Sequence, residues 1–185
     1  MHKYSIEKDI PSVEPLTGQF LTFLVNLIKP KQVLELGCGI GVSTNYILDG
    51  GVEFIDAVDA NEIRIKKAYE VVNNLAKVKF YKQRAEDFLS VCTKKYDFVF
   101  VDTIKKDYLT IWHLLKNKLN KNAFVVFDDV LLYGLVANEE SEIPMKYRNG
   151  VRELKIFMDT LFEDKSLKCY VFPVCNGILT VRYEG

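Results

Sequence analysis

The sequence predicts an α/β fold: a doubly wound, mostly parallel seven-stranded sheet that ends in a C-terminal antiparallel hairpin. Three observations predict it. Short aliphatic runs that close on acidic residues alternate with stretches of helical period, the pattern of successive βα units in a parallel sheet. The first run is followed by glycines at alternate positions, Gly37, Gly39 and Gly41. Two apolar runs, 168–174 and 178–183, flank Asn176-Gly177, a hairpin signal that makes them antiparallel neighbours.

Residues 1–13 are polar and lack a period, and Pro11 and Pro15 punctuate the region. From Thr17 to Ile28 apolar residues recur at helical spacing and stop before Pro30, which disfavours helix in the residue preceding it. A strand over 32–36 leads into the glycines. The helix over 41–49 then ends at the stop signal Gly50-Gly51. Val52 to Val58 reads as the second strand, closed by Asp59, and Asn61 caps a helix over 62–74. The third strand spans 78–81 and a helix spans 85–91. The fourth strand, Tyr96 to Val101, closes on Asp102. A helix over 106–119 places Tyr108, Ile111, Leu114 and Leu115 on one face. The fifth strand, 123–127, closes on Asp128 and Asp129. Residues 134–150 read as loop, with Pro144 and Asn149-Gly150 as turn signals. A helix over 151–162 turns Val151, Leu154, Phe157, Met158 and Leu161 toward the core.

A chain of 185 residues, 49% hydrophobic and 27% charged, suits one globular domain over 1–185. The 25 basic residues match the 25 acidic ones, so no global field draws the chain to nucleic acid or to an acidic membrane. The lysine clusters (Lys105 with Lys106; Lys116, Lys118 and Lys121) read as solvated helix faces and ends. Cys38, Cys92, Cys169 and Cys175 form no Cys-x-x-Cys pair and no zinc-like spacing. Cys38 inside the glycine turn reads as filler rather than nucleophile. The N-terminus lacks the apolar core of a signal peptide and no run is long enough to span a bilayer. The expected location is cytoplasmic.

Residues 33–44 read Val-Leu-Glu-Leu-Gly-Cys-Gly-Ile-Gly-Val-Ser-Thr. Strand, glycine turn and helix make a nucleotide-type cradle. The glycines let a ligand approach the backbone, and Ser43 and Thr44 begin a helix whose free N–H groups face an anionic group. The dinucleotide fingerprint Gly-x-Gly-x-x-Gly has Val42 at its third glycine, which argues against a nicotinamide cofactor.

Acids stand at four strand ends: Glu35, Asp59, Asp102, and Asp128 with Asp129. In an open parallel sheet these ends share one rim, where ligands bind. Asp59 lies about twenty residues beyond the glycine turn, the offset of a carboxylate that accepts ribose hydroxyls. Asp102, Asp128 and Asp129 at neighbouring strand ends would repel one another and raise one another's pKa. A divalent cation removes that conflict, and hard oxygen ligands select Mg²⁺ or Ca²⁺ over zinc.

The spacing Glu-x-Gly-x-Gly-x-Gly resembles the first motif of class I S-adenosylmethionine (SAM)-dependent methyltransferases. Tyr-Asp-Phe-Val-Phe-Val-Asp-Thr-Ile-Lys-Lys-Asp-Tyr (96–108) and Val-Val-Phe-Asp-Asp-Val-Leu-Leu-Tyr-Gly-Leu-Val (125–136) resemble two segments of the cation-dependent O-methyltransferases. These are the catechol and caffeoyl-CoA O-methyltransferase-like enzymes. Gly-Gln-Phe-Leu (18–21) is similar to the helix preceding their glycine motif, and the matches run in family order from residue 15 to the C-terminus. The resemblance implies a Rossmann-like methyltransferase fold. It also implies methyl transfer from SAM to a hydroxyl oxygen of a small catechol-like or other vicinal-oxygen substrate. The assisting ion would be Mg²⁺ or another divalent cation such as Ca²⁺ or Mn²⁺.

Position by position, the resemblance implies that Glu35, Gly37 and Gly39 line the SAM site and that Ser43 reaches the methionine carboxylate. Asp59, with Ala60 beside it, would hold the ribose, and Ala85 with Glu86 would border the adenine. Asp102 would border the cofactor and ligate the metal with Asp128 and Asp129. Lys105 falls where the family carries its catalytic lysine, and it acts as a base only if burial and the cation lower its pKa. Two positions depart from the family: Asp129 replaces the usual asparagine, and Leu132 replaces a frequent tryptophan. Other readings are a tRNA hydroxyuridine O-methyltransferase, as among bacterial relatives, and a SAM-binding homologue without catalysis. Dimers are common in the resembling family, so a homodimer is a further expectation; a membrane partner is not.

Overall fold

The computed structural model describes residues 12–185; the readings made for residues 1–11 lie outside the described residues. Among the described residues, seven strands form one sheet: β1 (Val33–Leu36), β2 (Ile55–Asp59), β3 (Val78–Lys82), β4 (Tyr96–Val101), β5 (Leu119–Phe127), β6 (Leu167–Phe172) and β7 (Ile178–Tyr183). Their order is β3-β2-β1-β4-β5-β7-β6. The first five are parallel, and β7 runs antiparallel between β5 and β6. Among the described residues the helices are α1 (Pro15–Ile28), α2 (Val42–Asp49), α3 (Glu62–Val71), α4 (Ala85–Val91), α5 (Tyr108–Leu115) and α6 (Met145–Glu163). This is the doubly wound fold with a C-terminal hairpin that the sequence predicts.

Side chains along a strand alternate between the two faces of the sheet. Val33, Ile55, Ala57, Phe98, Phe100 and Val126 pack with Leu21, Val25, Ile47 and Ala68 of the first three helices. Leu34, Leu36, Val99, Val101, Val125 and Phe127 pack with Phe88, Trp112, Leu115, Leu154 and Phe157 of the last three. Both faces are covered, so the central strands are mostly apolar along their length. The winding reverses between β1 and β4, and the crevice beyond their carboxyl ends is the place where such a sheet binds ligands.

Several boundaries move. β2 begins at Ile55 because Gly51, at φ 97°, turns the chain first. α3 ends at Val71, where Val72 becomes extended. The helix expected over 106–119 is divided, with α5 flanked by 3₁₀ turns at Lys105–Asp107 and Lys116–Lys118. β5 begins earlier, at Leu119, and takes up the extra length in a register shift against β4. β6 stops at Phe172, before the turn carrying Cys175 at φ 50° and Gly177 at φ 90°. The largest correction concerns 134–150. α6 starts at Met145, directly after Pro144, so Asn149 and Gly150 are helical. A turn propensity is a weak preference, and the buried Val151-Leu154-Phe157-Met158-Leu161 face overrides it. Among the described residues, no helix is long and apolar enough to cross a membrane.

Candidate active site

The glycine turn is stitched to the second strand and pressed against the fourth. The Gly37 and Cys38 N–H groups donate to the Val58 carbonyl at 2.8 and 3.1 Å. Gly37 has φ +92°, and a Cβ there would run into the Asp102 carbonyl oxygen. Gly39, at φ +54°, has nothing within 4 Å of where its Cβ would stand. One glycine is required by packing, and the other keeps a space open.

Asp59 ties this turn to the next helix. Its Oδ2 accepts the Gly39 N–H at 3.0 Å and its Oδ1 accepts the Asn61 N–H at 2.7 Å. Asn61 in turn caps α3, accepting from the Ile63 and Arg64 N–H groups at 2.9 and 3.1 Å. Each carboxylate oxygen has two lone pairs, so Asp59 keeps acceptor capacity for a ligand.

A cavity of about 780 Å³ opens over these strand ends. Gly37, Gly39, Asp59, Ala60, Ala85 and Glu86 line one part of it; Asp102, Lys105, Asp128 and Asp129 line another. Two of the expected site residues stand apart from the rest: neither Glu35 nor Ser43 is among the described residues that line the cavity. Strand alternation puts Glu35 on the face of Val33, toward α2. There it is fully buried, and its Oε2 accepts the Thr44 hydroxyl at 2.6 Å. Burial pushes its carboxyl up to about 7, while the Ser43 and Thr44 hydroxyls pull the other way. Ser43 is buried beneath the cradle, and Glu35 Oε1 has no hydrogen-bond partner among the described residues.

Asp102, Asp128 and Asp129 each bring a carboxylate oxygen within 4.8 Å of the other two. Burial, then the charges of Asp102 and Asp129, push the Asp128 carboxyl up to about 7. Asp129 holds a left-handed φ of 56°, which aims it back toward β4. Tyr108 fixes the two strand ends to each other: its buried hydroxyl donates to the Asp128 carbonyl at 2.8 Å and lies 3.3 Å from the Val101 carbonyl. Crowded carboxylates at a half-buried rim are a donor set that fits a hard divalent cation. The open face of Gly39, beside the Asp59 carboxylate, fits a cofactor with ribose hydroxyls.

Lys105 lies in the same cluster, its Nζ 2.9 Å from Asp102 Oδ1 and 3.2 Å from Asp129 Oδ2. The lowered pKa that a base at this position requires is not met by burial alone. Burial does disfavour the ammonium, but Tyr108, Asp102 and Asp129 outweigh it and hold the group well above its ordinary value.

Sequence reasoning missed the far wall. Tyr133 lines the cavity at φ 60°, after Leu132 at φ 43°, and its ring centroid is 5.9 Å from that of Tyr147. Leu132 stands where the resembling family carries its aromatic residue, and the left-handed pair that places Tyr133 at the cavity leaves no periodic signal. Val13, Glu14 and Thr17 from the start of α1, and Cys175 with Asn176 from the β6–β7 turn, also line the cavity. That turn is bonded to the segment after β5, with the Leu131 N–H donating to the Asn176 carbonyl at 2.8 Å and Val130 N–H to Gly177 at 3.0 Å. Asn176-Gly177 carries a visible hairpin signal, but its place at the cavity follows from the strand order.

Comparison with known proteins agrees with this geometry. The family model described as O-methyltransferase matches residues 2–184. A caffeoyl-CoA O-methyltransferase of Stellaria longipes is 28% identical over 187 residues, spanning 91% of this chain and 74% of its own. The crystal structure of the O-methyltransferase TomG from Streptomyces achromogenes, involved in tomaymycin synthesis and in complex with SAM, matches with a TM-score of 0.81 at 23% identity, covering 98% of this chain and 86% of that one. An O-methyltransferase from Bacillus cereus in complex with SAH matches with a TM-score of 0.84 at 18% identity, covering 98% and 88%.

Proposed function

The chain belongs to the O-methyltransferase family, and from that premise we propose that it moves the methyl group of SAM to a hydroxyl oxygen of a small acceptor bearing two neighbouring oxygens, with a divalent cation at the acceptor. The observation that carries this reading is one cavity with the glycine cradle and Asp59 in one part and the carboxylate cluster with Lys105 in another. The SAM and SAH held by the two structural neighbours support the cofactor. When bound, SAM supplies an electrophilic methyl group, and the cation supplies a Lewis acid that lowers the pKa of the acceptor hydroxyl.

The chain's own residues divide the remaining work. Gly37 and Gly39 receive the cofactor against the backbone. Asp59 accepts its ribose hydroxyls, while Ala60, Ala85 and Glu86 border the nucleoside. Asp102, Asp128 and Asp129 would hold the cation, and their all-oxygen donor set suits Mg²⁺, Ca²⁺ or Mn²⁺. Lys105 Nζ is the group in reach to hold the proton that the acceptor loses, once it has left its carboxylate partners and released its own proton to solvent. Tyr133 offers a ring face to a planar acceptor, and the start of α1 with the β6–β7 turn closes the sides. Holding acceptor and methyl donor in register supplies much of the rate.

Calorimetry of SAM and of Mg²⁺ on wild type and Asp128→Ala tests the reading. SAM binding in both proteins, with Mg²⁺ binding lost in the variant, is the expected outcome; SAM binding with no Mg²⁺ site in either would remove the metal-assisted chemistry. Methyl transfer is then compared on a catechol panel and on bulk tRNA, where turnover confined to tRNA would replace the small acceptor.

A further inference from the structure

The Lys105 ammonium sits 2.9 Å from Asp102 Oδ1 and 3.2 Å from Asp129 Oδ2, against two of the three carboxylates that converge at the cavity. Only 17% of its side chain is exposed, and its Nζ lies 5.4 Å from the Tyr108 ring centroid, so packing confines it there. An amide at position 129 would leave it one ion pair; the carboxylate of Asp129 gives it two.

We infer that Lys105 is the resident counter-ion of this cluster, and that it and a divalent cation are alternative occupants of Asp102 and Asp129. The inference rests on the cation reading above. The oxygens that face the ammonium belong to the carboxylates a cation needs as ligands, and two positive charges a few ångströms apart repel strongly at a half-buried site. Arrival of the cation and withdrawal of Lys105 are therefore one exchange. The backbone allows it, because Lys105 lies in a single 3₁₀ turn, Lys105–Asp107, on the cavity wall. The exchange discounts cation affinity by the two ion pairs that must break. It also turns Lys105 toward the acceptor only after the cation has arrived.

The test uses Mg²⁺ alone, without SAM or acceptor, titrated calorimetrically into wild type, Lys105→Met and Lys105→Arg. Lys105→Met removes the competitor and should bind Mg²⁺ about tenfold more tightly, within the usual range for coupled sites, whereas Lys105→Arg keeps the charge and stays with wild type. A second readout needs no variant: the acylation rate of Lys105 relative to Lys106, followed by mass spectrometry, should rise when saturating Mg²⁺ is added. Mg²⁺ binding by Lys105→Met that equals or falls below wild type overturns the inference and leaves the cation reading standing. Mg²⁺ binding by Lys105→Met alone supports it. No Mg²⁺ binding by any of the three proteins removes the cation reading and this inference with it. If Lys105→Met fails to fold, acylation of the wild type decides, and a rate that Mg²⁺ leaves unchanged overturns the exchange.

Discussion

The Asp59 carboxylate accepts the Gly39 N–H at 3.0 Å, so the end of β2 shapes the turn that follows β1. One side chain thus builds the cradle and faces its contents. Asp59→Ala should weaken SAM binding by about a hundredfold, since charge-assisted hydrogen bonds are worth roughly 1.5–3 kcal/mol each. Asp59→Asn keeps an oxygen for Gly39 and should lose about tenfold by the same scale. Calorimetry of SAM on both variants reads the difference, and unchanged affinity in Asp59→Ala would remove Asp59 from the cofactor site.

Gly37 and Gly39 should fail in different ways. Gly37→Ala drives a Cβ into the Asp102 backbone and should lower the melting temperature by many degrees along with SAM affinity. Gly39→Ala meets nothing and costs only the left-handed strain of about 1 kcal/mol, but its methyl group occupies the cradle. A Gly39→Ala protein that is folded by circular dichroism and still binds SAM as wild type would show that the open space holds something else.

Glu35 should make stability depend on pH. Its carboxyl moves from 4.5 to about 7 in the folded chain, so between those values the folded state holds a proton that the unfolded state has lost. Stability therefore falls as pH rises through that window and levels off above it, by up to about 3 kcal/mol for a shift of this size. Asp128 is raised to about 7 as well and adds a slope of the same sign, which is why the comparison must be made against Glu35→Gln. Urea unfolding from pH 4.5 to 8 in a chelator should show a shallower fall in the variant; parallel curves would contradict the burial account.

Tyr133 should act on the acceptor and not on the cofactor. Ring stacking contributes about 0.5–1.5 kcal/mol, so Tyr133→Ala should raise KM for a ring-bearing acceptor by about three- to tenfold, with Tyr133→Phe near wild type. SAM affinity should not move in either variant, and a drop there would place the ring at the cofactor instead.

Gly150→Ala should stabilise the protein. Gly150 lies inside α6, and its added Cβ would stand 3.7 Å from Leu132 Cδ2, an ordinary contact. Removing a helical glycine is worth about 0.5–1 kcal/mol. Thermal unfolding gives the answer, and a lower melting temperature would mean that Leu132 cannot accommodate the methyl group.

The strands of the parallel sheet were legible because both faces are covered, so Val33–Leu36 and Tyr96–Val101 appear as short, mostly apolar runs, each interrupted by one acid, Glu35 or Asp97. The acids that follow the second, fourth and fifth strands, Asp59, Asp102 and Asp128 with Asp129, share one rim, since strand ends in such a sheet share a side. What stayed hidden depends on direction rather than position. Glu35 is on the strand facing the cradle, but alternation turns it beneath the turn to Thr44. Lys105 has the right offset from Asp102, yet its pairing with Asp129 needs the left-handed bend after Asp128. Asn149-Gly150 carries a turn signature that long-range packing of α6 overrules.

The C-terminal hairpin has two ends with different uses. At one end, Asn176 and Gly177 bond to Leu131 and Val130 beside the cavity mouth. At the other, Arg182 pairs with Phe124, and Gly185 lies against Lys121 at the opposite ends of the strands. For protein engineering, a tag fused after Gly185 hangs away from the chemistry. Loops grafted between Phe172 and Ile178 would instead redraw the mouth, so this five-residue turn is the place from which to breed new acceptor preferences without touching the cofactor cradle.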